Sequence, residues 1–202
     1  MPRQPTPRTD GDLFEGDAAE ATAGQRDAEL QRRYLSFGGG TFRGQHLVGH
    51  QFEERSDLSG LRFVDCTMHS VRLASCDLRG TSFVGSHCAS ADFSACDARE
   101  ADFSRASLPA TNFVGANLRG ARFAGASIVE ADFCGADLRG ADFTEAVLCG
   151  SRFLAANLEG AILVGAVLDG CNFTGATLPD GRLCRGPQDL PGGDPAPKGE
   201  AA

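Results

Sequence analysis

A large apolar residue returns at every fifth position from Leu58 to Leu183, with no register skipped. Of these 26 registers, 24 hold Leu, Phe, Ile or Met; Cys88 and Ala98 are the exceptions. Two residues before each large residue the side chain is small: Ala in 14 registers, with Cys66, Cys76, Cys96, Cys171, Ser86 and Thr111 among the others. The residue between is mostly polar, as in Asp57, Asp77, Asp92, Asp102, Asn112, Asn117, Asp132 and Asp142. Two residues after the large one, glycine is common.

A period of five matches neither a helix nor a strand. Glycine at this density would also cost a helix about 1 kcal/mol per site. What fits is a chain that turns a corner every five residues, pointing one large and one small side chain inward from each side. Four corners close a square coil of 20 residues, so residues 20 apart should stack and resemble one another. They do. One column reads Leu58, Leu78, Ala98, Leu118, Leu138, Leu158, Leu178. The second reads Phe63, Phe83, Phe103, Phe123, Phe143, Leu163, Leu183. The third is mixed, from Met68 and Cys88 to Leu148 and Leu168, and the fourth runs from Leu73 through Phe93, Phe113, Phe133 and Phe153 to Phe173. Phenylalanine thus fills two opposite sides, letting rings and aliphatic chains interdigitate at the density a core requires. Six to eight coils about 4.8 Å apart give a rod roughly 30 to 40 Å long.

The phrases ADFSR, ANLRG, ADLRG and ADFTE carry a resemblance to the pentapeptide-repeat family over about three quarters of the chain. The resemblance implies an all-β fold, a right-handed quadrilateral β-helix. It also implies a role: several bacterial members resemble a segment of B-DNA in width and negative surface. They bind DNA gyrase or topoisomerase IV in place of DNA, and some protect it from quinolones. Those members dimerise through a C-terminal helix, which the Pro- and Gly-rich segment after Cys184 does not resemble.

The ends depart from the frame. Phe37, Phe42, Leu47 and Phe52 keep the five-step one residue out of phase with Leu58, so one inserted residue near Glu54–Arg55 would make 36–55 a further, irregular coil of a β-helix spanning 36–185. Residues 24–35 read as a short capping helix, and 1–23 and 186–202 as disordered segments. Capping matters because an open sheet edge invites aggregation.

The formal net charge is −8 with a single lysine, Lys198, which argues against direct nucleic-acid binding. The opening residues MPRQPTPRTD lack the apolar run of a secretory leader, and no 18-residue apolar stretch exists to span a membrane. The expected compartment is the cytoplasm, and the eight cysteines are expected to be free thiols there. Four of them take the small inward position and Cys88 a large one, where Cys acts as a small hydrophobe. His46, His50, His69 and His87 form no metal-ligand set, and no phosphate-binding, dinucleotide or nucleophile-elbow motif is present. A filled rod offers no catalytic pocket, so neither an enzyme nor a cofactor is expected.

The informative exterior flanks the Leu58 column. On one side of it run Asp57, Asp77, Asp97 and Asp137, with Asn117 and Asn157 on the remaining rungs; on the other run Arg79, Arg99, Arg119 and Arg139. This is either a salt-bridged solvent face or a charged recognition face. Val114, Val129, Val147, Leu154 and Val164 are candidates for an apolar patch elsewhere. The expectation is a non-catalytic binding protein, a monomer or weak homodimer. Its partner is DNA gyrase or topoisomerase IV by the resemblance, or, alternatively, an unrelated protein for which the rod is a scaffold.

Overall fold

The computed structural model describes residues 40–186 and Asp189. The expected capping helix at 24–35, the segment 1–23, Phe37 and nearly all of the C-terminal segment lie outside the described residues.

The chain winds as a four-sided β-helix. Each side is one short rung, paired in parallel with the rung one coil on: Asp57 with Asp77, Asp77 with Asp97, Asp97 with Asn117, Asn117 with Asp137. Among the described residues, only the first coil pairs over more than one residue, where β1 (Thr41–Arg43) lies parallel to β2 (Arg62–Val64). A fixed set of backbone bonds holds each side. On the first side, Leu118 N–H donates to Asp137 O (2.8 Å), Gly120 N–H to Arg139 O (2.9 Å) and Asp137 N–H to Ala116 O (3.0 Å). At the corner, Ala121 N–H donates back to Leu118 O (3.0 Å).

That corner needs a positive φ at its third residue. Glycine takes it without a steric penalty; elsewhere an ordinary side chain is forced into it, as at Ala155 with φ 56°. The corner explains both the period of five and the glycine bias.

The interior is filled by the large and small inward residues. Phe83, Phe103, Phe123 and Phe143 form one stack of parallel rings, with centroids 4.8 to 5.0 Å apart. Phe93, Phe113, Phe133, Phe153 and Phe173 form the other, at 4.6 to 5.0 Å. The two stacks meet edge to face, as between Phe103 and Phe113 at 5.5 Å and 86°, an arrangement that aromatic quadrupoles favour. Cys88 and Ala98 are fully buried in their columns despite their size. Where the small residue carries a hydroxyl, it donates to a carbonyl of the coil before: Thr81 to Leu58 (2.8 Å), Ser86 to Phe63 (2.9 Å), Thr111 to Cys88 (3.0 Å) and Ser151 to Ile128 (2.7 Å).

In the first described coil the pairing steps by 21 residues, Phe42 with Phe63 and Gln51 with Arg72, before settling to 20. The extra residue is Glu53: its carbonyl, not that of Phe52, accepts the corner bond from Ser56 N–H (3.1 Å).

At the other end the structure corrects the column reading. Leu183 does not stack on Leu163. The chain folds back after Leu178, pairs Leu183 antiparallel with Thr177, and leaves the Leu183 side chain 56% exposed. A positive φ of 81° falls on Gly181, one residue later than the repeat would place it. Glycine accepts that conformation more cheaply than Asp180, so Pro179–Asp180–Gly181 makes a hairpin turn rather than a corner.

Candidate protein-binding face

Where the middle residue of a rung is Asp or Asn, it first serves its own corner. Its side-chain oxygen accepts the backbone N–H two residues on: Asp92 from Ser94 (3.0 Å), Asp102 from Ser104 (2.9 Å), Asn112 from Val114 (3.0 Å), Asp132 from Cys134 (3.0 Å) and Asn157 from Glu159 (3.0 Å). This local bond offers a physical reason for the recurrence of Asp and Asn on the first, second and fourth sides; the third has Thr67, His87, Ser107, Ser127, Val147 and Val167 there. The sequence signal was present, but without the corner geometry it reads as surface charge.

On the first side the arginines add to it. Arg79 grips Asp77 through Nε (2.8 Å to Oδ1) and Nη2 (to Oδ2). Arg99 holds Asp97 at 2.8 and 2.7 Å, and Arg139 holds Asp137 at 2.8 and 2.6 Å. In each pair the guanidinium hydrogen bond holds the carboxyl below the usual carboxylate range, against a smaller opposing effect of partial burial. Arg119 meets Asn117 instead, and has no ion pair among the described residues. Asp57 has no arginine two residues on; its Oδ1 accepts the N–H (3.0 Å) and hydroxyl (2.6 Å) of Ser59.

The structure therefore brings all eight named residues onto one flank: Asp57, Asp77, Asp97 and Asp137 in line, with Arg79, Arg99, Arg119 and Arg139 at the adjoining corner. Among these eight, four carboxylates are balanced by four guanidiniums, and Glu159 continues the arginine column with the opposite sign beside Arg139. Elsewhere Arg152 lies 3.2 Å from Asp132 on the fourth side.

Of the residues suggested as an apolar patch, Val114, Val147 and Val164 are exposed, whereas Val129 and Leu154 are only partly so. Ile162, Val167 and Leu183, not among those candidates, are also exposed, on three different sides.

Cysteine chemistry is subdued. All eight thiols are free. Burial pushes Cys76 and Cys171 up to about 11, and Cys88 and Cys96 higher still, away from the thiolate that reactivity needs. His69 and His87 lie closer than their columns suggested, with ring centroids 6.5 Å apart, and His50 is buried edge-on to Phe52. Among the described residues no three His, Cys, Asp or Glu side chains gather to hold a metal, and no helix is long and apolar enough to cross a membrane.

The family model described as pentapeptide repeats (8 copies) matches residues 86–125, 116–153 and 151–185. The chain belongs to the pentapeptide-repeat family. Among solved structures it is similar to HetL of the cyanobacterium Nostoc, a pentapeptide-repeat protein involved in the regulation of heterocyst differentiation: 21% identity over 78% of this chain and 98% of that one, TM-score 0.36. It is similar to QnrB1, a plasmid-mediated fluoroquinolone resistance protein, at 18% identity over 69% and 78% of the two chains, TM-score 0.38. A pentapeptide-repeat protein from the thylakoid lumen of Arabidopsis thaliana shares 37% identity over 54% of this chain and 68% of its own, TM-score 0.24. No curated protein matches the chain in sequence.

Proposed function

We propose that the chain is a non-catalytic protein-binding rod that docks by its first side, and that its most concrete partner is the DNA-binding saddle of a type II topoisomerase such as DNA gyrase. One observation carries the reading: the parallel pairing keeps Asp57, Asp77, Asp97 and Asp137 in line along a single side. Regularly placed carboxylates along a straight edge can meet a basic groove shaped for phosphates. The family resemblance makes gyrase the partner to try first.

The arginine pairing favours a second reading. A flank whose charges already neutralise one another projects a softer field than a DNA mimic needs, and suits a protein partner with its own mixed charges.

A supercoiling assay with purified bacterial gyrase, with and without a quinolone and at several salt concentrations, tests the first. Inhibition of supercoiling or loss of quinolone-stabilised cleavage at micromolar protein is expected. The Asp77→Ala/Asp97→Ala/Asp137→Ala variant should abolish it, and Arg79→Ala/Arg99→Ala/Arg139→Ala should strengthen it by unmasking carboxylates. No effect of the parent rod under any condition rejects gyrase and leaves the second reading.

A further inference from the structure

The terminal coil has one strand with which to cover its first or its second side; on the third and fourth, Leu168, Gly170 and Phe173 N–H also lack an acceptor among the described residues. On the second side, Leu163 and Gly165 N–H have no acceptor, and Ala161 O has no donor, among the described residues. Leu163 is only partly buried, whereas Phe143 directly beneath it in the same column is fully so. Every earlier second side is closed by the next rung. Phe143 N–H donates to Ile162 O (2.8 Å), Glu145 N–H to Val164 O (2.9 Å), and Ile162 N–H to Ala141 O (2.9 Å). Moved up one coil, that pattern requires Arg182 O for Leu163 N–H, Cys184 O for Gly165 N–H, and Arg182 N–H for Ala161 O.

Those groups are in use elsewhere. In the hairpin, Arg182 O accepts from Leu178 N–H (2.7 Å), Cys184 O accepts from Gly175 N–H (2.9 Å), and Arg182 N–H donates to Asp180 Oδ1 (3.1 Å); Cys184 N–H also donates to Ala176 O (2.7 Å). The same two carbonyls can serve the first side or the second, not both. Three backbone bonds and the Arg182 N–H bond to Asp180 Oδ1 would be exchanged for three backbone bonds. The bond that starts the turn, Gly181 N–H to Leu178 O (2.9 Å), is the ordinary corner bond and is common to both arrangements. The apolar balance is also an exchange. The hairpin buries Cys184 and covers Leu178 but leaves Leu183 exposed and Leu163 half covered, whereas a continued rung would place Leu183 on Leu163 and uncover Leu178.

We propose that residues 179–186 form a strap with two seats: the observed hairpin over the first side, and a continued rung over the second. The selector is the position of the positive φ. On Gly181 it makes the hairpin; on Asp180, the repeat's own position, it would make the corner. The strap decides whether the first or the second side of the rod ends in free backbone groups open to a partner's strand, and whether Arg182 stays by Asp180 or joins the second side above Ile162.

The test is residue-resolved amide exchange by NMR on the full chain at two protein concentrations. In the parent, Gly175 and Cys184 should exchange slowly, and Leu163 and Gly165 should show weak protection that reports the minor seat. The variant Asp180→Gly/Gly181→Ala restores the repeat's own phrase, with glycine at the corner and alanine inward. It should raise protection of Leu163 and Gly165 by about tenfold or more while Gly175 loses it. Leu183→Asp should do the reverse, removing residual protection at Leu163. If the restored variant is folded and Leu163 still exchanges as freely as in the parent, the strap has one seat and the proposal fails. It fails equally if Leu163 and Gly175 are protected together, or if protection at Leu163 appears only at the higher concentration, where a second copy would be the cover. Should the double variant not fold, Asp180→Gly alone carries the same expectation.

Discussion

The middle coils and the last one are written in the same grammar and end in different states. ATNFVGANLRGARF, residues 110–123, and GAILVGAVLDGCNF, residues 160–173, share the spacing of large and small residues. Around Phe113 and Leu118 every inward side chain is sealed, and Phe113, Gly115, Leu118 and Gly120 N–H each donate to the coil above. Around Leu163 and Leu168 the same kinds of residue are half covered, and Leu163, Gly165, Leu168, Gly170 and Phe173 N–H find no acceptor among the described residues. A rung of this fold is completed by the rung above it; the repeat specifies a socket and the next coil supplies the lid.

The contrast predicts unequal costs for similar damage. Phe113→Ala should remove about 3–5 kcal/mol of stability, because its ring lies between Phe93 and Phe133 and the neighbouring coils cannot collapse into the void. Leu163→Ala, half covered already, should cost well under half of that. Urea denaturation of the two variants measures the gap, and equal losses would mean that the last coil is as sealed as the middle. Ser151→Ala comes next, at about 1–3 kcal/mol, since Ala131 N–H and Ile128 O both depend on that hydroxyl. Ala155→Gly works in the opposite direction, adding less than about 1 kcal/mol by relieving a left-handed corner.

The smallest effect concerns charge. Asp77, Asp97 and Asp137 have folded carboxyl pKa values below their unfolded ones, so their contribution is present above the unfolded value and is lost as pH falls through the folded one. Carboxyl carbon NMR titration should place all three below the ordinary aspartate value of about 3.9. Arg139→Ala should return Asp137 toward it without moving Asp77. An unmoved Asp137 would show that the backbone corner bond, not the guanidinium, holds it down.

Much of this was legible in the sequence because the fold is one-dimensional. The interval from Phe83 to Phe103 states the coil length, and the identity of the residues at 83, 103 and 123 states which of them touch. What was not legible depended on backbone conformation. The pattern assigned Leu183 to a column because its spacing is right; only the turn at Gly181 reveals that the chain has left the column. The aspartates were visible as charge and not as corner ligands, because the bond from Asp102 to Ser104 N–H exists only once the corner has formed. The flank of Asp77 and Arg79 can be assembled from period alone, while the pairing of its charges required knowing that the two side chains reach each other.

The constant step of 20 residues between paired rungs also fixes how such a chain can change its length. Excising a whole coil, such as 101–120, would rejoin Glu100 to Ala121 with every column intact and the rod merely shorter. Removing five residues instead would rotate everything beyond the cut by a quarter turn. The downstream phenylalanines would then sit on leucines, and the aspartate line would pass abruptly to another side. For this molecule, length is free to vary in whole turns, and phase is what natural or designed variants must preserve.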